Sequence, residues 1–309
     1  MSPTQALRQI STNVRFLTGS LLLPEFTAAL AERLFLTPPR TGKGNAGQTA
    51  FFDFLDARSV YVEHRGRHLA TWRWGPAEAP AVLLVHGWGG YAAQMRGFVP
   101  SLLAAGLRVL AYDQPAHGLS EGRLTGLPDF ADALAAVARH HGGVRAVIAH
   151  SLGAAGAAVA IARAQSDPSR GLEVERAVLI GAPSDFVGYT RRFARWHWMP
   201  ERARRVMQAA IEERFGVPMA ELEVARLAPR LRARALLIHD RGDPVSPWRQ
   251  GLQIANAWPG ARLLSTEGLG HGRILEAEIT TRAAADFIAG TSAIASPAAP
   301  VLPNPAPLY

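Results

Sequence analysis

The length and composition of the chain limit what it can be. At 309 residues, 48% of them hydrophobic, it is long enough to bury a large core. It has no cysteine, which excludes disulfides, thiolate metal sites and a cysteine nucleophile and is compatible with the cytoplasmic location that we predict. The formal net charge is +8, but the basic residues are arginines spread along the chain, with Lys43 as the only lysine. Since no nucleic-acid-binding motif accompanies this charge, we expect no nucleic-acid partner.

Residues 1–58 are predicted to form an N-terminal helical extension. Arg8 and Arg15 precede an apolar stretch, but Pro24 and charged residues interrupt it, so we expect neither a signal peptide nor a spanning helix. From Phe16 to Leu36 the apolar residues recur at helical spacing. Such a segment can pack on a domain or lie on a membrane surface. We favour packing over peripheral membrane contact.

The next part of the chain predicts an α/β fold, a mostly parallel, doubly wound sheet. Short β-branched or leucine-rich runs alternate with alanine-rich helical stretches, which is typical of a parallel sheet with helices on both faces. A hairpin of two strands comes first, and each later strand ends at a polar or glycine-rich turn. We therefore expect a site at the carboxyl edge of the sheet. The predicted strands are 60–63, 67–74, 81–85, 108–112, 146–150, 177–180, 235–239 and 262–264.

The alternation is interrupted once, so the predicted core consists of residues 59–183 and 235–290. Residues 184–234 contain no strand-like run and predict an inserted helical cap on the catalytic edge. Aromatic residues of the cap either wall a substrate pocket or bury the cap against the core. Residues 291–309, rich in proline and alanine, predict a disordered tail. The pocket candidates are Phe186, Phe193, Trp196 and Trp198.

A candidate nucleophile lies where a predicted strand runs directly into an alanine-rich helix. Residues 146–156 read Ala-Val-Ile-Ala-His-Ser-Leu-Gly-Ala-Ala-Gly, with Ser151 at the turn. A nucleophile elbow strains the serine backbone and needs small residues two positions away on each side, here Ala149 and Gly153. The helix start would point the amide of Leu152 at an oxyanion. The alternative is a serine that caps the helix.

With these features in place, residues 61–288 resemble the α/β-hydrolase family, which includes serine esterases and lipases. The run His-Gly-Trp-Gly-Gly at 86–90 is similar to the family's oxyanion loop. The resemblance implies that the amide of Trp88 is the second oxyanion donor and that His86 braces the loop. Residues 113–120 resemble a structural turn of the family, so Asp113 and His117 receive no catalytic role. The family most often has glycine where this chain has Ala149, and alanine is small enough to fit.

The resemblance also implies the acid and the base, because the family places its acid after the nucleophile and its histidine last. The run His-Asp-Arg-Gly-Asp-Pro-Val at 239–245 supplies Asp243 as the acid, with Asp240 at the strand end as the alternative. The run Gly-Leu-Gly-His-Gly at 268–272 supplies His271 as the general base. Its glycines allow a tight loop.

The predicted function is cleavage of a carboxylic ester through an acyl-enzyme intermediate. Ser151 attacks the carbonyl carbon, His271 takes and returns the proton, and Asp243 stabilises the imidazolium. The aromatic cap favours an apolar substrate. The same triad would serve an acyltransferase, a thioesterase, an amidase or a carbon-carbon hydrolase, and a catalytically silent binding protein is the alternative of another class. We expect no metal or organic cofactor, and the oligomeric state stays open.

Overall fold

One eight-stranded sheet forms the centre of the protein in this computed structural model, which describes residues 3–22, 24–39 and 57–290. The strand order is β1-β2-β4-β3-β5-β6-β7-β8. β1 and β2 form an antiparallel hairpin, β2 is antiparallel to β4, and the other strands are parallel. The predicted α/β class is therefore confirmed. The strands are β1 (Arg58–His64), β2 (Arg67–Trp74), β3 (Ala81–Val85), β4 (Arg108–Tyr112), β5 (Ala146–His150), β6 (Arg176–Ile180), β7 (Arg234–Asp240) and β8 (Arg262–Thr266).

Helices cover both faces of this sheet. Short 3₁₀ helices at Ala92–Phe98, Pro168–Arg170, Met219–Leu222 and Ala228–Arg230 complete the connections. The α-helices are α1 (Pro3–Leu22), α2 (Pro24–Phe35), α3 (Val99–Ala104), α4 (Leu127–His140), α5 (Leu152–Ser166), α6 (Phe186–Trp196), α7 (Glu201–Phe215), α8 (Val224–Leu227), α9 (Trp248–Ala257), α10 (Gly270–Arg273) and α11 (Glu278–Ala289).

The alternation of side chains along the strands divides the core into two layers. In β3, Leu83 and Val85 face the layer that contains α4, α5 and α9, whereas Val82 and Leu84 face the layer that contains α3 and α11. All five residues of β3 and of β5 are buried. Strands covered on both faces read as continuous apolar runs, which is why the sequence located them well. The sheet is thus a rigid base whose carboxyl edge carries the loops of the site.

The chain between β6 and β7, where the sequence predicts a cap over residues 184–234, contains α6, α7, α8 and two 3₁₀ turns. α6 and α7 pack against each other, and the 3₁₀ turn at Met219–Leu222 packs on α6. α8, near the end of this segment, instead contacts α5 and α9 of the core. The part that stands over the carboxyl edge is therefore shorter than the whole segment.

The N-terminal helices pack on this cap. α2 lies along α7, and Glu32 forms a salt bridge with Arg214. Asn13 of α1 donates from Nδ2 to the carbonyl oxygen of Trp196 at 2.9 Å. The rest of the predicted extension, 40–56, and the predicted tail, 291–309, lie outside the described residues. None of the described helices is long and apolar enough to cross a membrane.

Candidate active site

Ser151 lies at a strained turn between β5 and α5. Its backbone has φ 53° and ψ −128°, outside the regions that a serine usually adopts. The strain is held by packing: Gly153 approaches the carbonyl oxygen of His86 so closely that a Cβ would come within 2.3 Å of it. The Ser151 side chain makes no capping hydrogen bond to α5. The helix-cap alternative therefore does not describe this residue.

Ser151, His271 and Asp243 form one hydrogen-bonded chain. Asp243 Oδ2 accepts from His271 Nδ1 at 2.6 Å, and His271 Nε2 lies 2.9 Å from Ser151 Oγ. Because Nδ1 carries the proton towards the carboxylate, Nε2 is free to accept the serine proton. The three residues come from the loops after β5, β7 and β8, which meet at the carboxyl edge.

Asp243 is held as a carboxylate. Burial raises its pKa, but hydrogen bonds from His239, His271 and the amide of Ser246 lower it more, and the net result is a pKa well below the ordinary value. Oδ1 accepts from the amides of Val245 and Ser246 at 2.8 and 2.9 Å. The negative charge that orients His271 is therefore present at neutral pH.

The carboxylate of Asp240, the alternative acid, accepts hydrogen bonds from groups other than His271. Its Oδ2 accepts from Thr266 Oγ1 and from the amide of Leu269, both at 2.9 Å, and its Oδ1 accepts from the amide of Gly242 at 3.0 Å. Burial raises its pKa, and these hydrogen bonds lower it to a net value below the ordinary one. Asp240 thus connects the turn that carries Asp243 to the loop that carries His271.

Two further histidines touch the triad and were not singled out from the sequence. His150 donates from Nε2 to the carbonyl oxygen of His271 at 2.9 Å, and the two rings lie 4.6 Å apart. His239 Nε2 lies 2.8 Å from the carbonyl oxygen of Ser246 and 3.5 Å from Asp243 Oδ2. The sequence feature that could have identified them is a histidine near the end of a buried strand, because a buried ring needs hydrogen-bond partners.

His150 carries no charge at neutral pH. Burial, with the nearby His271 as a smaller cause, lowers its pKa to about 3. A neutral ring next to His271 adds no positive charge to oppose an imidazolium there. The arrangement can therefore support a base that takes up a proton.

The predicted oxyanion loop is braced by two buried histidines. His86 Nδ1 lies 2.7 Å from the Gly87 carbonyl oxygen, and its Nε2 accepts from the amide of Gln114 at 2.9 Å. His117 Nε2 accepts from the amide of Gly89 at 2.9 Å. Burial lowers the pKa of His117 to about 4 and that of His86 well below its ordinary value, so both rings are neutral acceptors.

The amides of Trp88 and Leu152 remain for a ligand. Gly87 lies so close to Ser151 that a Cβ on Gly87 would be 2.8 Å from the Ser151 Cβ, and Trp88 is the next residue. Leu152 follows Ser151 directly and is the first residue of α5. Neither amide donates to a protein acceptor within the part of the chain that the structure describes. Two free amides beside a serine suit an oxyanion that develops on its substrate.

Asp113, which received no catalytic role from the sequence, lies away from the triad. It is fully buried, and its two oxygens accept from the amides of Ala92 and Leu119, each at 2.7 Å. Its carboxylate ties the turn after β4 to the segment that follows the oxyanion loop.

A largely apolar cavity of about 710 Å³ opens above Ser151 and His271. Of the predicted pocket residues, Phe186, Phe193 and Trp196 line it. Trp198 does not, and the prediction is wrong for that residue: it lies after the end of α6 with φ 53° and is 49% exposed. Helical spacing would have placed Trp198 beside the other three residues, but α6 ends at Trp196, two residues before it.

The N-terminal extension supplies a cavity wall that the sequence did not indicate. Leu34 to Thr37 line the cavity, and the carbonyl oxygen of Leu36 accepts from the amide of Thr125 at 2.9 Å. Among the lining residues Arg192 is the one permanent charge, and its guanidinium stacks on the ring of Tyr189 at 3.9 Å. Within the described residues, no group of three His, Asp or Glu side chains is arranged to hold a metal ion.

Comparison with known proteins agrees with this architecture. Residues 80–222 match the family model described as the alpha/beta hydrolase fold. The chain therefore has the α/β-hydrolase fold. The matched segment includes Ser151 and residues 86–90 and ends before Asp243 and His271.

Two curated relatives and one solved structure illustrate the likeness. A bifunctional esterase/perhydrolase of Acinetobacter calcoaceticus is 38% identical over 116 residues, which is 35% of this chain and 39% of that enzyme. A putative carbamate hydrolase of Variovorax paradoxus is 29% identical over 72% of this chain and 97% of its own length. The crystal structure of a bacterial membrane phospholipase A superposes with a TM-score of 0.60 and 18% identity, covering 93% of this chain and 98% of that one. At that identity the structural match shows the fold alone.

Because Gly153 contacts the backbone of His86, we predict that replacing Gly153 with alanine changes the stability in the opposite direction to the usual one. Glycine to alanine inside a helix normally stabilises by up to about 1 kcal/mol. We expect Gly153→Ala instead to lower the free energy of unfolding by at least about 2 kcal/mol, because the new Cβ meets backbone. Gly272→Ala, in α10 with no atom within 4 Å of its Cβ, is the matched control and should not destabilise. Urea unfolding of both variants measures this; equal effects would contradict the packing argument.

The neutral state of His150 predicts a pH-dependent stability. Its folded pKa of about 3 lies below the ordinary value of 6.5, so between these values the unfolded chain binds a proton that the folded chain does not. Stability therefore falls as pH falls through this window. In His150→Gln, which keeps a donor for the His271 carbonyl, the slope of unfolding free energy should decrease by about 1 kcal/mol per pH unit between roughly pH 4.5 and 6. Urea unfolding across that range tests it, and an unchanged slope would refute it.

Proposed function

We propose that this α/β-hydrolase is a serine hydrolase that cleaves a carboxylic ester through an acyl-enzyme intermediate. The observation that carries the proposal is the hydrogen-bonded chain from Asp243 through His271 to Ser151, at the floor of an apolar cavity. A serine hydroxyl needs such a base to attack at neutral pH, and the base needs an acid to fix its tautomer.

In the proposed reaction Ser151 Oγ bonds to the carbonyl carbon while its proton moves to His271 Nε2. The amides of Trp88 and Leu152 donate to the oxyanion. The tetrahedral intermediate collapses, the bond to the alcohol oxygen breaks, and His271 returns the proton to the leaving alcohol. Water then attacks the acyl-enzyme with His271 as base and releases the acid. The chain's own groups supply each of these steps.

An ester with an apolar acyl group is the substrate that the cavity favours. More than half of the residues that line it come from residues 34–37 and from the segment between β6 and β7, and most of these side chains are aromatic or aliphatic. A relative named as an esterase/perhydrolase supports ester cleavage, whereas the relative named as a putative carbamate hydrolase supports a carbamate as the second candidate. The same groups would also serve a thioesterase, an acyltransferase or a carbon-carbon hydrolase, and a silent binding protein would retain them. Probe labelling and substrate profiling distinguish these alternatives from the ester hydrolase.

A fluorophosphonate probe tests the nucleophile. We expect the wild-type protein to be labelled at Ser151 and Ser151→Ala to show no labelling, because the phosphonylated atom is Oγ. Peptide mapping by mass spectrometry identifies the modified residue. If the wild type stays unlabelled, or if labelling survives in Ser151→Ala, the serine hydrolase assignment is wrong and the silent binding protein is favoured.

A series of p-nitrophenyl esters with increasing acyl length, beside matched anilide, thioester and carbamate substrates, tests the substrate class. Each methylene that enters the cavity should raise kcat/KM by up to about fourfold, the equivalent of about 0.8 kcal/mol. The increase should end when the chain fills the 710 Å³ cavity. Faster turnover of the carbamate than of the ester of equal length would favour the second candidate.

The two aspartates after β7 provide a matched pair of variants. Asp243→Asn should lower kcat by about 10⁴ because the amide no longer fixes the His271 tautomer. Asp240→Asn should lower kcat by less than about tenfold and act mainly on stability, because Asp240 bonds to backbone and Thr266 rather than to His271. Steady-state kinetics with thermal unfolding of both variants measures this. The reverse order would make Asp240 the acid.

A further inference from the structure

One surface of the protein carries most of its exposed large apolar side chains. Eight of the twelve such side chains found among the described residues lie on α1, on α2 or at the end of α6. We call this surface the apolar face. Its members are Val14, Leu17, Leu22, Phe26, Leu30, Leu34, Trp196 and Trp198.

The segments that form the apolar face contact one another. Phe16 of α1 packs on the ring of His197 at 5.2 Å, and His197 lies between Trp196 and Trp198. On α2, Phe26, Leu30 and Leu34 follow one another at four-residue spacing and form a stripe. This stripe is separate from the side of α2 that packs on α7, where Ala28, Ala31 and Glu32 are buried. α2 therefore has two apolar sides, and only one of them is covered.

The exposure of the apolar face is large enough to need an explanation. Phe26 is 72% exposed and Leu22 79% exposed. Scattered apolar residues are common on soluble proteins, but a concentration of them on neighbouring helices indicates a surface that binds something. The patch also continues into the cavity, because Leu34 and Trp196 belong to the apolar face and to the cavity lining.

Most of the charges around the apolar face are positive. Arg33 is next to Leu34, Arg195 is next to Trp196, and Arg191 and Arg202 lie on α6 and α7 close to the same end. All four are exposed, and none forms a salt bridge with an acidic residue of the described chain. Of the acidic residues nearby, Glu32 is bound by Arg214 and Glu201 by Arg204 and Arg205. Glu25, beside Phe26, is exposed and is the one acidic residue of α2 outside these pairs.

We propose that the apolar face docks on an anionic phospholipid surface and brings the mouth of the cavity to the lipid boundary. Apolar side chains with tryptophans at the edge and arginines around them are what an interfacial helix presents to a bilayer that carries negative headgroups. A second copy of the chain fits less well, because in a two-fold contact the same arginines would face each other. The delivery of substrate from the lipid to Ser151 rests on the proposed function, whereas the docking does not.

Vesicle co-sedimentation tests the docking without turnover if every protein carries Ser151→Ala. Vesicles of phosphatidylcholine alone are compared with vesicles containing about 30% phosphatidylglycerol, at low and high salt. We expect binding to the anionic vesicles that weakens as salt is added.

Two variants test which residues carry the binding. Phe26→Ser/Leu30→Ser should weaken vesicle binding at least tenfold, since both side chains are exposed and neither lines the cavity. Arg195→Gln/Arg202→Gln should weaken it by roughly fivefold per arginine on anionic vesicles only.

Tyr61→Ser/Ile279→Ser is the matched control, because these residues are 57% and 54% exposed and lie on β1 and α11, away from the apolar face. This control should bind vesicles like the parent protein, and thermal unfolding should show that all variants are folded. No binding of the parent to anionic vesicles at low salt would overturn the proposal. So would equal loss in the control, or a dimer in solution that Phe26→Ser/Leu30→Ser dissociates. Fluorophosphonate labelling of the protein with Ser151 present reports on the proposed function independently.

Discussion

The left-handed backbone of Ser151 is the constraint on which the rest of the site depends. A serine in this conformation costs about 1 to 3 kcal/mol, which the surrounding packing has to offset. The packing that does so is the contact of α5 with the oxyanion loop, where Gly153 lies under the carbonyl of His86. The same contact brings the amides of Trp88 and Leu152 to one side of the serine. One close approach thus aligns the proposed nucleophile and the two backbone amides together.

The parts of the protein divide their tasks. The catalytic candidates and the buried histidines around them belong to the carboxyl edge of the sheet, where bonds to backbone fix each ring. More than half of the residues that line the cavity come from residues 34–37 and from the segment between β6 and β7, which lie outside the strands. Residues in these segments can therefore change the shape of the cavity without disturbing the groups that would perform the chemistry.

Local patterns in the sequence predicted most of this arrangement, and long-range contacts account for what they missed. The strands were found because burial on both faces makes them continuous apolar runs, and Ser151 because an elbow requires small neighbours at fixed spacing. The resemblance favoured Asp243 over Asp240, but the contact of Asp243 with His271 depends on the path of the turn, since both aspartates lie at the end of the same strand. The wall formed by Leu34 to Thr37 has no local signal at all, because it depends on where α2 lies against a cap almost two hundred residues away.

Asp240 shows how two loops from distant parts of the chain can behave as one body. Its carboxylate accepts from Gly242 on the acid's turn and from Leu269 on the histidine's loop, so a displacement of either loop pulls the other with it. The contact between Asp243 and His271, 28 residues apart in sequence, can then keep its 2.6 Å length while both loops fluctuate. Correlated motion of this kind preserves the alignment of a proton path without requiring that either loop be rigid.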